Sequence, residues 1–265
     1  MSIEEQTDPK VSILILDIET APNLAYVWKF FKANISPKQV LEDCSIMSWS
    51  AKWLGDDKTA FMSGNRATEK EMLEALVVFL DEADIVVGHN VSGFDMPKIR
   101  GRCLVHDIPL PSPYKEIDTY RIARKEFGFD RNSLEYLAEV LGVGMKGTHG
   151  NFPGFELWKA CLAGDKKAWK EMEEYNRLDV DITEKVYLAL RPYTTNHPNL
   201  GVFIESEELI CPKCGSDSNE RRGFAYTNTG KFQRYQCRTC GGWHRSRYTE
   251  YPIEKKKALA ANAVS

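Results

Sequence analysis

Residues 11–17, VSILILD, form a short apolar run rich in β-branched side chains, the pattern of a strand buried inside a sheet. Similar strand signals recur at 45–53 (SIMSWSAKW), around 59–63, at 84–90 (DIVVGHN) and in the stretch that ends at Asp118. Helical patterns lie between them. Residues 68–82 open with Thr68 and place Glu71 three positions later, a capping box ahead of helical periodicity. FDMPKIRGRCLVHD opens a helix after the 84–90 strand, and 132–142 (NSLEYLAEVLG) reads as a helix with an Asn cap and a Gly stop. A last helical pattern runs from 165 to about 190 and ends before Pro192, while 144–154 is a Gly-rich loop. Strands alternating with helices predict an α/β layered domain.

A chain of 265 residues can bury one sizeable core and a small appendix. Its net charge of −3 divides unevenly. From residue 211 onward 11 Lys/Arg stand against 4 Asp/Glu, which gives that tail +7 and leaves −10 for the rest. An acidic body with a basic appendage suggests a surface that faces nucleic acid. No stretch approaches the length of a membrane span, and the acidic start, MSIEEQTDPK, does not fit a secretory signal. With scattered, unpaired cysteines at 44, 103 and 161, the expected compartment is the cytoplasm, bacterial or that of a virus's host.

Asp17 and Glu19 close the first strand in DIET, and a period of two puts both on one face. Two acids there repel unless a cation lies between them. Asp95 follows the next buried strand in HNVSGFD, where Phe94 is expected to pack inward as Asp95 opens a helix. Asp179 lies in YNRLDVD, four residues after Tyr175 on the same helical face. Asp181 should face away from that site as a solvated acid, and Asp118 reads as a strand-end cap. His89 reads as structural.

The ordered set D-x-E, N-x-x-x-F-D and Y-x-x-x-D resembles the DEDDy 3′→5′ exonucleases of the RNase H-like superfamily over roughly residues 11–190. The likeness is strongest to the proofreading exonuclease domain of family B DNA polymerases, carried by GHNVSGFDMPKIRGR. The sister class needs a histidine where Glu174 stands. The resemblance implies an RNase H-like mixed β-sheet flanked by helices, with two Mg2+ or Mn2+ ions. Asp17, Glu19 and Asp179 would hold one ion, and Asp17 with Asp95 the other. It further implies that Tyr175 orients or helps deprotonate the attacking water, orientation being the better role for a phenol with an ordinary pKa near ~10, and that Asn90, Phe94 and Glu19 touch the substrate. The chemistry agrees: two hard cations about 4 Å apart stabilise both ends of an in-line displacement, and carboxylates are the ligands such cations prefer. Single-stranded DNA is the expected substrate. An RNA 3′ exonuclease and a structure-specific endonuclease are the alternatives on the same site.

Cys211-x-x-Cys214 and Cys237-x-x-Cys240, each pair followed by Gly, have the spacing of a four-cysteine zinc ribbon in which one zinc ion is structural. Arg221, Arg222, Arg234 and Arg245 surround it and are candidate phosphate contacts, interleaved with aromatic residues. Docking to a replication or repair protein is the other use such a module has. The expected organisation is a nuclease domain at 11–192, a linker at 193–208, the ribbon at 209–250 and a basic tail at 251–265.

Overall fold

The computed structural model of the chain describes residues 11–144 and 150–260; the middle of the Gly-rich loop expected at 144–154 lies outside them. The described residues fall into two compact units, one of residues 12–187 and one that begins at Leu188.

The first unit is built on a five-stranded mixed sheet. Its strands are β1 (Ile13–Thr20), β4 (Ile46–Trp53), β5 (Ala60–Ser63), β6 (Ile85–Gly88) and β7 (Lys115–Asp118), in the order β5-β4-β1-β6-β7. β4 is antiparallel to β1 and β5, whereas β6 is parallel to β1 and β7. Two further short strands, β2 (Leu24–Ala25) and β3 (Val40–Glu42), pair with each other outside this sheet. The helices are α1 (Glu69–Glu82), α2 (Asp95–Val105), α3 (Thr119–Glu126), α4 (Leu134–Val140), α5 (Glu156–Leu162) and α6 (Lys166–Leu190). This is the mixed sheet flanked by helices that the sequence implied.

Alternation along β1 explains the layering. Leu14, Leu16 and Ile18 point to one face and join Trp49, Leu73, Leu76, Leu80, Met96 and Ile99 in the main core, so α1 and α2 cover that side. Complete burial of each such side chain is worth about 1.5–3 kcal/mol. Trp49 keeps its indole N–H satisfied by donating to the Met72 carbonyl at 2.8 Å. Ile13, Ile15, Asp17 and Glu19 point to the opposite face. Ser48, Ser50 and Lys52 share it, because they pair directly with Glu19, Asp17 and Ile15 across the β1–β4 ladder. α6 covers this polar face: Ser48 donates to the Asn176 side chain at 3.2 Å, and Lys52 pairs with Asp181 at 2.9 Å and Glu184 at 2.7 Å.

Local capping follows the chain chemistry. Thr68 accepts from the Glu71 amide while the Glu71 carboxylate accepts from the Thr68 amide, completing the expected capping box. α4 departs from expectation by one residue. Ser133 rather than Asn132 is its cap, with the hydroxyl accepting from the Tyr136 amide. Gly142 ends the helix at φ +65°, a left-handed value glycine adopts without strain.

The second unit continues from the end of α6 with strands β8 (Asn219–Tyr226), β9 (Lys231–Cys237) and β10 (Trp243–Arg245) in one antiparallel sheet, followed by α7 (Ile253–Lys257). The segment before the sheet is held to it. Leu200 is buried and its amide donates to the Pro212 carbonyl at 2.9 Å, and the Lys213 ammonium donates to the Pro192 carbonyl. No helix among the described residues is long and apolar enough to cross a membrane.

Candidate active site

β1 runs through Thr20, so Asp17 and Glu19 lie within the strand rather than at its end, on the face that α6 covers. α6 brings Asp179 to them. Carboxylate oxygens of Asp17, Glu19 and Asp179 all lie within 4.8 Å of one another. The N-terminus of α2 brings Asp95. β6 pairs with β1 only as far as Ile15, so on that edge the Ile18 amide lies beyond the end of the β1–β6 ladder, and the Asp95 carboxylate accepts from it at 3.1 Å. That bond reverses an expectation: Asp95 is buried and Phe94 is 38% exposed, since satisfying a strand amide outweighs burying one ring. Burial pushes the Asp95 carboxyl up to about 7 against the Ile18 amide, which favours the ionised form, with the Asp118 charge adding to the rise.

Tyr175 lies one turn before Asp179 on α6, with the Trp158 ring edge-on to it at 6.1 Å. Burial, with the charges of Asp179, Glu19 and Asp17, holds its hydroxyl far above the usual tyrosine range. Both causes favour the protonated phenol.

Asp17, Glu19, Asn90, Phe94, Asp95, Tyr175 and Asp179 line one open cleft of about 500 Å³, within the range of small-ligand sites. Asn90 adopts φ +65°, and Asp118 stabilises this turn. Asp118 accepts from the Asn90 amide at 3.0 Å and the Ser92 amide at 3.2 Å, and it also caps α3. His89 bonds to Thr119 at 2.9 Å and also lines the cleft. Asp181 faces away, yet it is not simply solvated, because Lys52 pairs with it.

Sequence reasoning missed Asn176. Fully buried on α6, it donates to the Asp17 carboxylate at 2.6 Å while its own oxygen accepts from Ser48. Its position three residues before Asp179, on the same helical face, was the available signal.

In the second unit the four thiols converge. The Sγ–Sγ separations are 3.8 Å for Cys211–Cys240 and 3.6 Å for Cys214–Cys237. A disulfide needs about 2.05 Å. Ligands on a tetrahedral zinc with bonds near 2.3 Å stand ~3.8 Å apart, so this donor set fits zinc. Gly215 and Gly241 take φ +78° and +75° and donate back to the Cys211 and Cys237 carbonyls, which forms the two knuckles. Around them Arg234 lies over the Trp243 ring at 4.9 Å and Arg245 over Phe232 at 3.7 Å. Those ring faces are covered by the module's own cations. Arg222 pairs with Glu220, and Arg221 lies exposed on β8.

A family model described as RNase_H superfamily matches residues 46–191, more than half of the chain. The chain belongs to the RNase H superfamily. The matched stretch holds Asp95, Tyr175 and Asp179, and the fold adds Asp17 and Glu19 from β1, which precedes it. The chain is similar to the family B DNA polymerase from the hyperthermophilic archaeon Pyrobaculum calidifontis, with a TM-score of 0.53 and 19% identity, covering 71% of this chain and 26% of the polymerase. This RNase H-like chain thus spans about a quarter of that polymerase, and the likeness is one of fold. Comparison with curated protein sequences found no match. Superfamily membership, with this acidic cleft, supports nuclease activity.

Proposed function

We propose that this chain is a 3′→5′ exonuclease that hydrolyses phosphodiester bonds at single-stranded DNA 3′ ends. The observation that carries the reading is the convergence of Asp17, Glu19 and Asp179 within 4.8 Å in a cleft that Tyr175 and Asp95 also line. All the donors are hard carboxylate oxygens, which suit Mg2+ or Mn2+. Asp17, Glu19 and Asp179 would hold one ion, and Asp17 with Asp95 a second. When bound, such ions neutralise phosphate charge and make a water nucleophilic at neutral pH. The chain's own side chains do the rest. Asn176 fixes the rotamer of Asp17, Tyr175 orients the attacking water by donating a hydrogen bond to its oxygen, and Asn90 and Phe94 meet the terminal nucleotide. A tyrosine rather than a histidine before the last aspartate supports the DEDDy subclass.

In this reading residues 11–192 are the nuclease domain and 209–250 a zinc ribbon whose Cys211, Cys214, Cys237 and Cys240 hold one structural ion. Arg221, Arg222, Arg234 and Arg245 offer charge to a phosphate backbone, which favours nucleic acid as the ribbon's partner.

The test is direct. Purified protein is incubated with 5′-labelled DNA and RNA oligonucleotides in Mg2+ or Mn2+, beside Asp17→Ala. A ladder of shortened DNA products that Asp17→Ala abolishes is expected. A single internal cut, a ladder on RNA alone, or activity that survives the substitution refutes the proposal.

A further inference from the structure

The three most exposed large apolar side chains among the described residues fall within four consecutive positions of the chain: Trp28, Phe30 and Phe31 are 97%, 94% and 85% exposed. Tyr26 beside them is 69% exposed. So many exposed aromatic rings in one short segment mark a surface with an occupant. These rings belong to an arm, residues 22–39, that projects where the β1–β4 ladder ends. Glu19 pairs with Ser48, Thr20 with Ile46, and the Ala21 amide still donates to the Ser45 carbonyl at 2.8 Å, after which the chain leaves the sheet. The arm thus leaves the sheet two residues after Glu19, just past the last residue of β1. Its base is tied rather than loose. β2 pairs with β3, the Tyr26 amide donates to the Gln39 carbonyl at 2.9 Å, and the Gln39 side chain donates back to the Tyr26 carbonyl at 2.8 Å.

Charge identifies the occupant. Lys29, Lys32 and Lys38 are interleaved with the rings, and no acid occurs from Ala21 to Leu41 in a body that is otherwise strongly acidic. Rings for base faces and ammonium groups for phosphates are the two elements of a sequence-tolerant grip on single strands. We propose that the 22–39 arm is a stacking platform for single-stranded nucleic acid, which holds the strand that enters the carboxylate cleft. This inference rests on the nuclease reading for what the strand does next, but binding to the arm is a separate property.

The experiment uses the full chain with Asp17→Ala as background, so that a fluorescein-labelled 15-nucleotide DNA strand is not consumed. Anisotropy gives its Kd against salt. Stacking of one base on a ring contributes a factor of roughly 5 to 150 in affinity. A combined Trp28→Ala, Phe30→Ala, Phe31→Ala variant is therefore expected to raise Kd at least tenfold, and Trp28→Phe to raise it less than threefold. Lys29→Gln with Lys32→Gln should flatten the slope of log affinity against log salt by about 1.4, at about 0.7 per phosphate contact. In the Asp17 parent, the triple-alanine variant should raise KM for the same strand by the factor seen in Kd. All these side chains are exposed, so melting temperature serves as the folding control. A Kd that the triple variant leaves within twofold overturns the proposal. So does binding of the arm to anionic vesicles in preference to DNA, or an arm-dependent dimer in sedimentation. If the strand binds through the arm but the parent cleaves nothing, the platform stands and the exonuclease reading falls. If cleavage proceeds with arm-independent KM, the reverse holds.

Discussion

Replacing Asn176 by alanine removes the group that holds Asp17 in place. Its amide donates to the Asp17 carboxylate at 2.6 Å, a short bond to a carboxylate acceptor in a part-buried setting. Bonds of this kind are worth about 1.5–3 kcal/mol. At about 1.36 kcal/mol per tenfold, the loss predicts a drop in kcat/KM of roughly 10- to 150-fold. The bond acts on a carboxylate proposed to hold both ions, so half-saturation by Mg2+ should move to higher concentration by a similar factor, with partial recovery at high Mg2+. A merely structural role would not move that titration. Stability also falls, because Ser48 loses the oxygen it donates to at 3.2 Å. That costs about 1 kcal/mol, or roughly 2–4 °C in Tm for a chain of this size, which leaves the variant folded at 25 °C. Asn176→Asp keeps the acceptor for Ser48 but sets a second negative charge beside Asp17, and it should lose at least as much activity as the alanine variant. Steady-state hydrolysis of a 5′-labelled strand across a Mg2+ titration is the assay. A folded Asn176→Ala protein with rate and Mg2+ half-saturation both within twofold of the parent refutes the positioning argument.

Tyr175→Phe should reduce kcat at least tenfold without shifting either limb of the pH–rate profile, since burial and three neighbouring carboxylates keep that hydroxyl protonated; a basic limb that vanishes in the variant contradicts this. Lys52→Met strips the buried cation from Glu184 and Asp181 and should cost about 3 kcal/mol, or ~6–12 °C in Tm, with partial recovery on adding Glu184→Gln. Burial raises the Glu69 carboxyl, but hydrogen bonds from Arg102, His106 and the Ile46 amide outweigh it and leave the pKa below the ordinary glutamate value. A lowered folded pKa gives stability that is present above the unfolded value near ~4.3 and lost as pH falls through the folded one. Urea melts should therefore show Glu69→Gln less stable than the parent at pH 7, with a gap that narrows below about pH 4. Cys211→Ser with Cys214→Ser should abolish stoichiometric zinc measured by mass spectrometry, and unchanged zinc content would refute the ribbon.

Most local structure was legible. The apolar run at 13–16, the Thr68–Glu71 capping box and the stop before Pro192 each depend on residues within a few positions of one another, and the structure realises all three. The candidate carboxylates could be named because D-x-E and Y-x-x-x-D place their members on one face by strand and helix period alone. Where reading failed, the partner was far away in sequence. Asp181 reads as solvated because Lys52 lies 129 positions earlier. Asn176 reads as an ordinary helix residue because Asp17 is 159 positions away.

The sequence by itself determined the strand and helix periods, the four cysteines and the residues able to hold cations. Tertiary structure alone decided which of these meet. It buried Asp95 and turned Phe94 to the cleft, against the simple rule of apolar in and charged out. The reason is that β6 stops short of Ile18, leaving a strand amide that only the Asp95 carboxylate is placed to accept. A backbone hydrogen bond between elements 77 residues apart is set by how far two strands run together, and no local pattern encodes that length.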